Sequence, residues 1–374
     1  MNAEVELTIM PPSGELPLLT ATVLSEPLTQ WTVKQPLPTA FQHHQNPLHL
    51  AAALEEANIS VRWHTATSVN PECVPAACGV TPLFQGGQGG SKVLDRGIPP
   101  EKPAQFTWLT NPTILALIPH WRCEPWLTRC LTSLCQQTHP LTNIVVIDDA
   151  SPTPPLEIIR QFPQVTLLQA PDRVGPYRLI QSVINRTTYD AYLCQDADDW
   201  SSCDRLATLL QTAHTTGAEL VGSQEIRVLE PDAQVQAVGY PLDVNQSLAQ
   251  APGHALLHPT SLITRSLIQR LGGFATGLRF GGDTEFLLRA HWCARIVNSP
   301  RSCYFRRKRP ESLTTAAETG LASPIRQALT QTMKDRAIAN AQAATQGQTL
   351  DLNPLATAPD IPLQHLWGPE LQWI

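Results

Sequence analysis

The sequence predicts an α/β domain with a mostly parallel sheet flanked by helices, and three observations carry that expectation. Short apolar, β-prone runs recur at residues 113–118, 143–147, 165–168, 191–194 and 219–222. Segments with apolar residues at helical spacing lie between them. Two of the runs end in carboxylates, Asp148-Asp149 and Asp196-Ala197-Asp198-Asp199. Strands alternating with helices build parallel sheets covered on both faces. Such sheets bind their ligands at the carboxyl ends of the strands.

Residues 1–110 read differently from the rest. Prolines are frequent, alternation at 4–9 and 60–64 predicts short strands, and Pro47 opens a possible helix over 48–58. Gly86, Gly87, Gly89 and Gly90 cluster ahead of a Pro99-Pro100 exit. The expectation is a small accessory region and a linker. His43, His44 and His49 are close in sequence, but no carboxylate or cysteine interleaves them, which favours surface placement over a metal site.

From Pro112 the pattern becomes regular. The first strand, 113–118, is closed by Pro119. Pro125 opens a helix whose apolar face carries Trp126, Leu127, Cys130, Leu131, Leu134 and Cys135, proline being tolerated in a first turn. A strand at 143–147 follows, then a short helix through Leu156, Ile159 and Phe162, and a strand at 165–168. Next come a helix at 177–184, the strand 191–194, a helix at 204–215 ended by Gly217, and a strand at 219–222. Ser323-Pro324 starts a long helix through Ile325, Leu329, Met333 and Ala337, and the tail ends in Trp367 and Trp373. The expected division is 1–110 accessory, 111–318 α/β domain, and 319–374 helix and tail.

A formal net charge of -6 over 374 residues leaves no electrostatic footprint for nucleic acid. The basic run Arg306-Arg307-Lys308-Arg309 is local. No apolar stretch is long enough to cross a bilayer, and the start Met1-Asn2-Ala3-Glu4 lacks the basic-then-apolar pattern of a signal peptide. Nine cysteines in a chain of this length do not make a dense disulfide framework. A cytoplasmic setting is expected.

Three carboxylates packed at a strand end repel each other, and burying them is costly unless they hold something positive, such as a hard divalent cation. A solvated acidic turn is the competing reading. A calcium loop counted from Asp196 fails, because Ser201 and Ala207 stand where glycine and glutamate are needed. No phosphate-binding G-x-x-x-x-G-K-[ST] loop, no G-x-G-x-x-G turn after the first strand and no G-x-S-x-G elbow is present.

Five ordered motifs decide between the readings. They are Ile118-Pro119-His120-Trp121-Arg122; Val146-Ile147-Asp148-Asp149-Ala150-Ser151; Asp196-Ala197-Asp198-Asp199 followed by Asp204-Arg205-Leu206; Leu271-Gly272-Gly273-Phe274; and Gly282-Asp283-Thr284-Glu285 running on to Arg289. Together, over residues 112–314, they resemble the inverting glycosyltransferases of family two, which have the GT-A fold, a Rossmann-like α/β domain. The resemblance implies transfer of a single sugar from a nucleotide-sugar, a UDP-sugar, to a hydroxyl acceptor that is a glycan, a lipid-linked molecule or a small molecule. It implies Mn2+ or Mg2+ at Asp198, with Asp196 nearer the ribose or assisting the metal and Asp199 orienting the loop. Pro119, His120 and Trp121 would face the nucleotide, Trp121 stacking on the base and Asp148 or Asp149 accepting a hydrogen bond from it.

Asp283 is then the expected general base, with Glu285 as its substitute if the register is off by two; a helix N-cap is the plainer use of Asp283. Arg178 is expected near phosphate, and Arg289 in a structural ion pair. One departure stands out. Where the family often has a histidine in a "YRxHxxS"-like stretch, this chain has Arg309, which cannot ligate a cation but can pair with phosphate. No Q-x-x-R-W motif is present, against a processive synthase. The rivals are a sugar-phosphate nucleotidyltransferase, for which His120 to Pro125 supplies no glycine-rich basic loop, and a catalytically silent nucleotide- or sugar-binding protein on the same fold. The irregular residues 222–258 are expected to shape the donor pocket.

Overall fold

The computed structural model describes residues 105–229, 234–310, 312–316 and 318–374, and four strands nearer the N-terminus. Those four, β1 (Val5–Ile9), β2 (Leu19–Val23), β3 (Gln30–Val33) and β4 (Val61–Thr65), form an antiparallel sheet in the order β3-β2-β1-β4. The expected helix over 48–58, the three histidines and the glycine cluster lie outside the described residues.

The main sheet starts at β5 (Ile114–His120), whose β-branched and leucine side chains are buried on both faces. After α1 (Glu124–Cys135) comes β6 (Asn143–Asp148); α2 (Leu156–Ile159) leads to β7 (Val165–Gln169), and α3 (Pro176–Ile184) to β8 (Ala191–Cys194). β5, β6, β7 and β8 pair in parallel. Alternation divides their side chains between two cores. Leu115, Leu117, Val145 and Ile147 pack toward α3, while Ala116, Ile118 and Val146 pack with Leu127, Cys130 and Leu131 of α1.

After the two-residue β9 (Trp200–Ser201), α4 (Arg205–Thr216) closes on Gly217, whose φ of 64° is the left-handed conformation glycine adopts without strain. β10 (Leu220–Leu229) then runs far beyond the expected 219–222. It pairs antiparallel with β11 (Gln234–Val238) and is followed by α5 (Val244–Gln250). β12 (Leu262–Thr264) is wedged between β8 and β10, antiparallel to both. α6 (Arg265–Arg270), α7 (Gly282–Ala290) and the long β13 (Ile296–Lys308), parallel to β10, complete the domain. The periodicity did not signal β13, because Pro300 interrupts it and Arg306, Arg307 and Lys308 end it. The chain accommodates the proline in the irregular stretch where pairing jumps from Gly222–Asn298 to Gln224–Ser302.

Ser323 caps α8 (Pro324–Thr345) as expected, its side chain accepting from the Arg326 amide. The tail then returns across the domain. β14 (Gln364–Trp367) adds to the edge of β7, and Trp373 bridges to Thr187. The main sheet thus runs β14-β7-β6-β5-β8-β12-β10-β13-β9, with β11 on β10. No helix of the described residues is long and apolar enough to cross a membrane.

Candidate functional site

The carboxyl ends of β5, β6 and β8 gather most of the residues singled out by sequence. At β5, His120 is buried; its Nδ1 lies 2.9 Å from Asp148 Oδ1 and its Nε2 accepts from the Cys123 amide. The other Asp148 oxygen accepts from the Ser151 amide and from Gln169. Burial pushes the Asp148 carboxyl up, but the bonds from His120 and Ser151 outweigh it and hold the group below its ordinary value. Asp148 and His120 therefore brace the turn from within, and neither is placed to touch a base.

Asp149 is also buried, and burial pushes its pKa up against the amides of Val174 and Gly175 that its two oxygens accept. It ties the ends of β6 and α3 together. Trp121 is half-buried rather than in the core, with the Arg173 guanidinium 3.4 Å and the Arg122 guanidinium 4.5 Å from its ring centroid. Its face is thus already a stacking platform for a planar, positively charged group. Arg122 and Ala150, at the two strand ends, both have left-handed φ values, 52° and 56°, a strain that clusters at binding sites.

Beyond β8, one carboxylate oxygen each from Asp196, Asp198 and Asp199 lie within 4.8 Å of one another. Hard oxygens at that spacing suit a divalent cation. Asp199 is buried and accepts from the Arg307 amide, which fixes the loop. Burial first, then repulsion from Asp198, raises the Asp196 carboxyl to about 6. Asp198 is paired: Arg309 Nε donates to its Oδ2 at 2.7 Å. The same guanidinium lies 4.4 Å from the Trp126 ring centroid. A cation could take Asp196 and Asp198 once Arg309 releases its oxygen, so the donor set fits.

Asp283 sits in the first turn of α7. Gly281, at a φ of 76°, takes the N-cap position, so Asp283 is not the cap. Tyr177 Oη donates to Asp283 Oδ1 at 3.1 Å. Gly282 permits this approach, because a Cβ there would lie 2.8 Å from the Tyr177 ring. Burial pushes the Asp283 carboxyl up, but His254, His258, the Thr284 amide and Tyr177 prevail and hold it below 3.8. Glu285, the substitute base, is consumed: Arg289, Arg336 and the Leu355 amide all donate to it. Arg289 is correspondingly a buried structural partner.

His254 and His258 were not singled out from sequence. Burial pushes His254 down, whereas His258 rises to about 9 because the Cys194 sulfur and the Asp283 and Asp196 carboxylates outweigh its burial. The pattern H-x-x-x-H within the irregular 222–258 stretch was the available signal. Arg178 lies away from the strand ends in its contacts: its Nε donates to the Pro359 carbonyl, 2.7 Å away on the returning tail.

Two comparisons bear on this chain. Residues 116–236 match the sequence model of the family described as Glycosyl transferase family 2. Among solved structures, residues 1–349 of S. aureus TarS in complex with UDP superpose with a TM-score of 0.46 at 18% identity, covering 62% of this chain and 72% of that one. The same segment in complex with UDP-GlcNAc gives 0.47 at 18%, covering 62% and 73%. A further structure of S. aureus TarS gives 0.46 at 18%, with 62% of this chain and 44% of that chain covered. No curated protein matches the sequence. The matched segment runs from β5 through β8 and the Asp196–Asp199 cluster into β11, on an α/β sheet with flanking helices, and over that third of its length the chain is similar to glycosyl transferase family 2.

Proposed function

We propose that the protein transfers a single sugar, with inversion, from a UDP-sugar to a hydroxyl acceptor, using Asp283 as general base. The observation that carries this reading is the environment of Asp283: a carboxylate kept ionised by His254, His258 and Tyr177, sharing the charge field of Asp196. Asp283 takes the acceptor hydroxyl proton while that oxygen bonds to the anomeric carbon. The bond from that carbon to the diphosphate breaks, and its electron pair leaves with the diphosphate.

A divalent cation, Mn2+ or Mg2+, held by Asp196 and Asp198 would act as a Lewis acid toward that leaving group. Arg309, released from Asp198, would pair with a phosphate oxygen. Trp121 would stack on the base once Arg173 or Arg122 leaves its ring face, beside the turn that Pro119, His120, Asp148 and Asp149 hold in shape. The activity belongs to residues 111–318, with 1–110 accessory and 319–374 supporting; the acceptor is a glycan, a lipid-linked molecule or a small molecule.

The test is a thermal-shift titration with UDP, GDP, dTDP and CDP, each with Mn2+, Mg2+ or EDTA, followed by nucleotide release from the matching sugar donor. A selective, cation-dependent shift with UDP and acceptor-stimulated release of UDP is the expected outcome. Binding without any release would instead favour the silent nucleotide-binding reading.

A further inference from the structure

The far end of β13 carries a group of charges around Glu225, in addition to the Arg309–Asp198 pair. Glu225 of β10 is fully buried, and Arg227 and Arg306 both pair with it, the latter at 3.7 Å. Lys308 is half-buried on the same face of β13 as Arg306 and has no hydrogen-bond or ion-pair partner among the described residues. Arg227 and Arg306 are also registered opposite each other across the parallel pair, where like charges destabilise a sheet. Arg306 also feels Asp199 and Asp196, but at half-buried Lys308 the repulsion from Arg306 and Arg227 is stronger than the attraction of Glu225 and Asp199. An anion joining Lys308 would relieve that repulsion.

Position says which anion. Alternation along β13 puts Arg307 and Arg309 on the opposite face, where they meet Asp198, Trp126 and Trp200. That is the donor side. The Arg306 and Lys308 face leads to His254, which feels both those cations and Asp283 and lies 3.4 Å from Thr284, the neighbour of Asp283. An acceptor hydroxyl has to arrive at Asp283.

Resting on the glycosyltransferase reading of this site, we propose that the acceptor carries a phosphate or carboxylate, bound by Lys308, Arg306 and Arg227 while its hydroxyl reaches Asp283. The same anionic chemistry has one other source, a carboxylate on the donor sugar, and the test separates the two.

The test uses the full chain saturated with UDP and Mn2+, titrated calorimetrically with glycerol 1-phosphate and with glycerol. The ester is expected to bind and glycerol not to. Lys308→Gln should weaken the ester roughly tenfold and Lys308→Arg should restore most of it, with UDP affinity moving by less than about twofold in both. No binding of the ester to the wild-type protein, or equal binding by Lys308→Gln, overturns the proposal. A parallel loss of UDP affinity also overturns it, assigning the cluster to the donor diphosphate. A Lys308-dependent preference for UDP-glucuronate over UDP-glucose would move the anion to the donor sugar and overturn the acceptor assignment. If UDP itself does not bind, the donor reading fails first, a result seen before any phosphate ester is added.

Discussion

As the proposed base, Asp283 meets two demands that pull against each other. A base must be ionised when the acceptor arrives, yet a strongly stabilised carboxylate is a weak base. Two imidazoles, a tyrosine hydroxyl and a helix amide settle the conflict in favour of ionisation. Asp283→Asn is therefore expected to lower kcat by about 10²–10⁴-fold while donor affinity holds; comparison of UDP-release rates with UDP binding checks it. The pH profile follows from the two shifts. Asp283, depressed below 3.8, adds no acid limb in the working range. Asp196, raised to about 6, is protonated below that pH, so cation-supported UDP binding should fall as pH drops through about 6. A cation-supported Kd that stays flat from neutrality to well below that pH would sink the assignment. Arg309→His would replace the guanidinium on Asp198 with a ligating nitrogen. It should tighten nucleotide-free Mn2+ binding by about tenfold, as measured by calorimetry.

At the scale of elements, the ends of strands and helices hold the site, and those ends differ in how legible they were. β5, β6 and β8 were readable because they combine β-prone apolar runs with proline or carboxylate stops. α8 was readable from Ser323-Pro324. β12 has only three residues, β13 is broken by Pro300 and ends in cations, and β14 pairs only because the tail returns to β7. Such pairings depend on partners distant in sequence, which no local periodicity encodes. The same division runs through the site: the aspartates sit at the ends of legible elements, while His254, His258 and Lys308 come together by tertiary packing. Within α7, Arg289 closes on Glu285 one turn earlier, and both are buried. Arg289→Ala leaves that buried carboxylate with Arg336 at 3.3 Å and the Leu355 amide. A loss of about 3 kcal/mol in the urea unfolding free energy is expected; a change below 1 kcal/mol would show that the pair contributes little.

On the scale of the whole molecule, the C-terminal tail works as a strap. It supplies a strand to β7, carbonyl acceptors to Arg178 and Arg289, and an amide to Glu285. Ending the chain at Gln346 would expose the β7 edge and unpair those donors. The shortened protein is expected to melt several degrees lower, by about 4 °C or more, and to aggregate, checked by scanning calorimetry and light scattering. Unchanged melting would show that the tail is dispensable.

The antiparallel β12 has a consequence for how such a protein can change. It is a seam: on one side lie β5 to β8 with the turns that follow β5 and β6, on the other β10 and β13 with the cations around Glu225. Hydrogen bonds across the seam require only backbone, and its strand is three residues long. Replacements in β10 or β11 can therefore accumulate without disturbing the turns after β5 and β6. Lineages descended from one ancestor could keep a single sugar supply and still diverge in what they decorate.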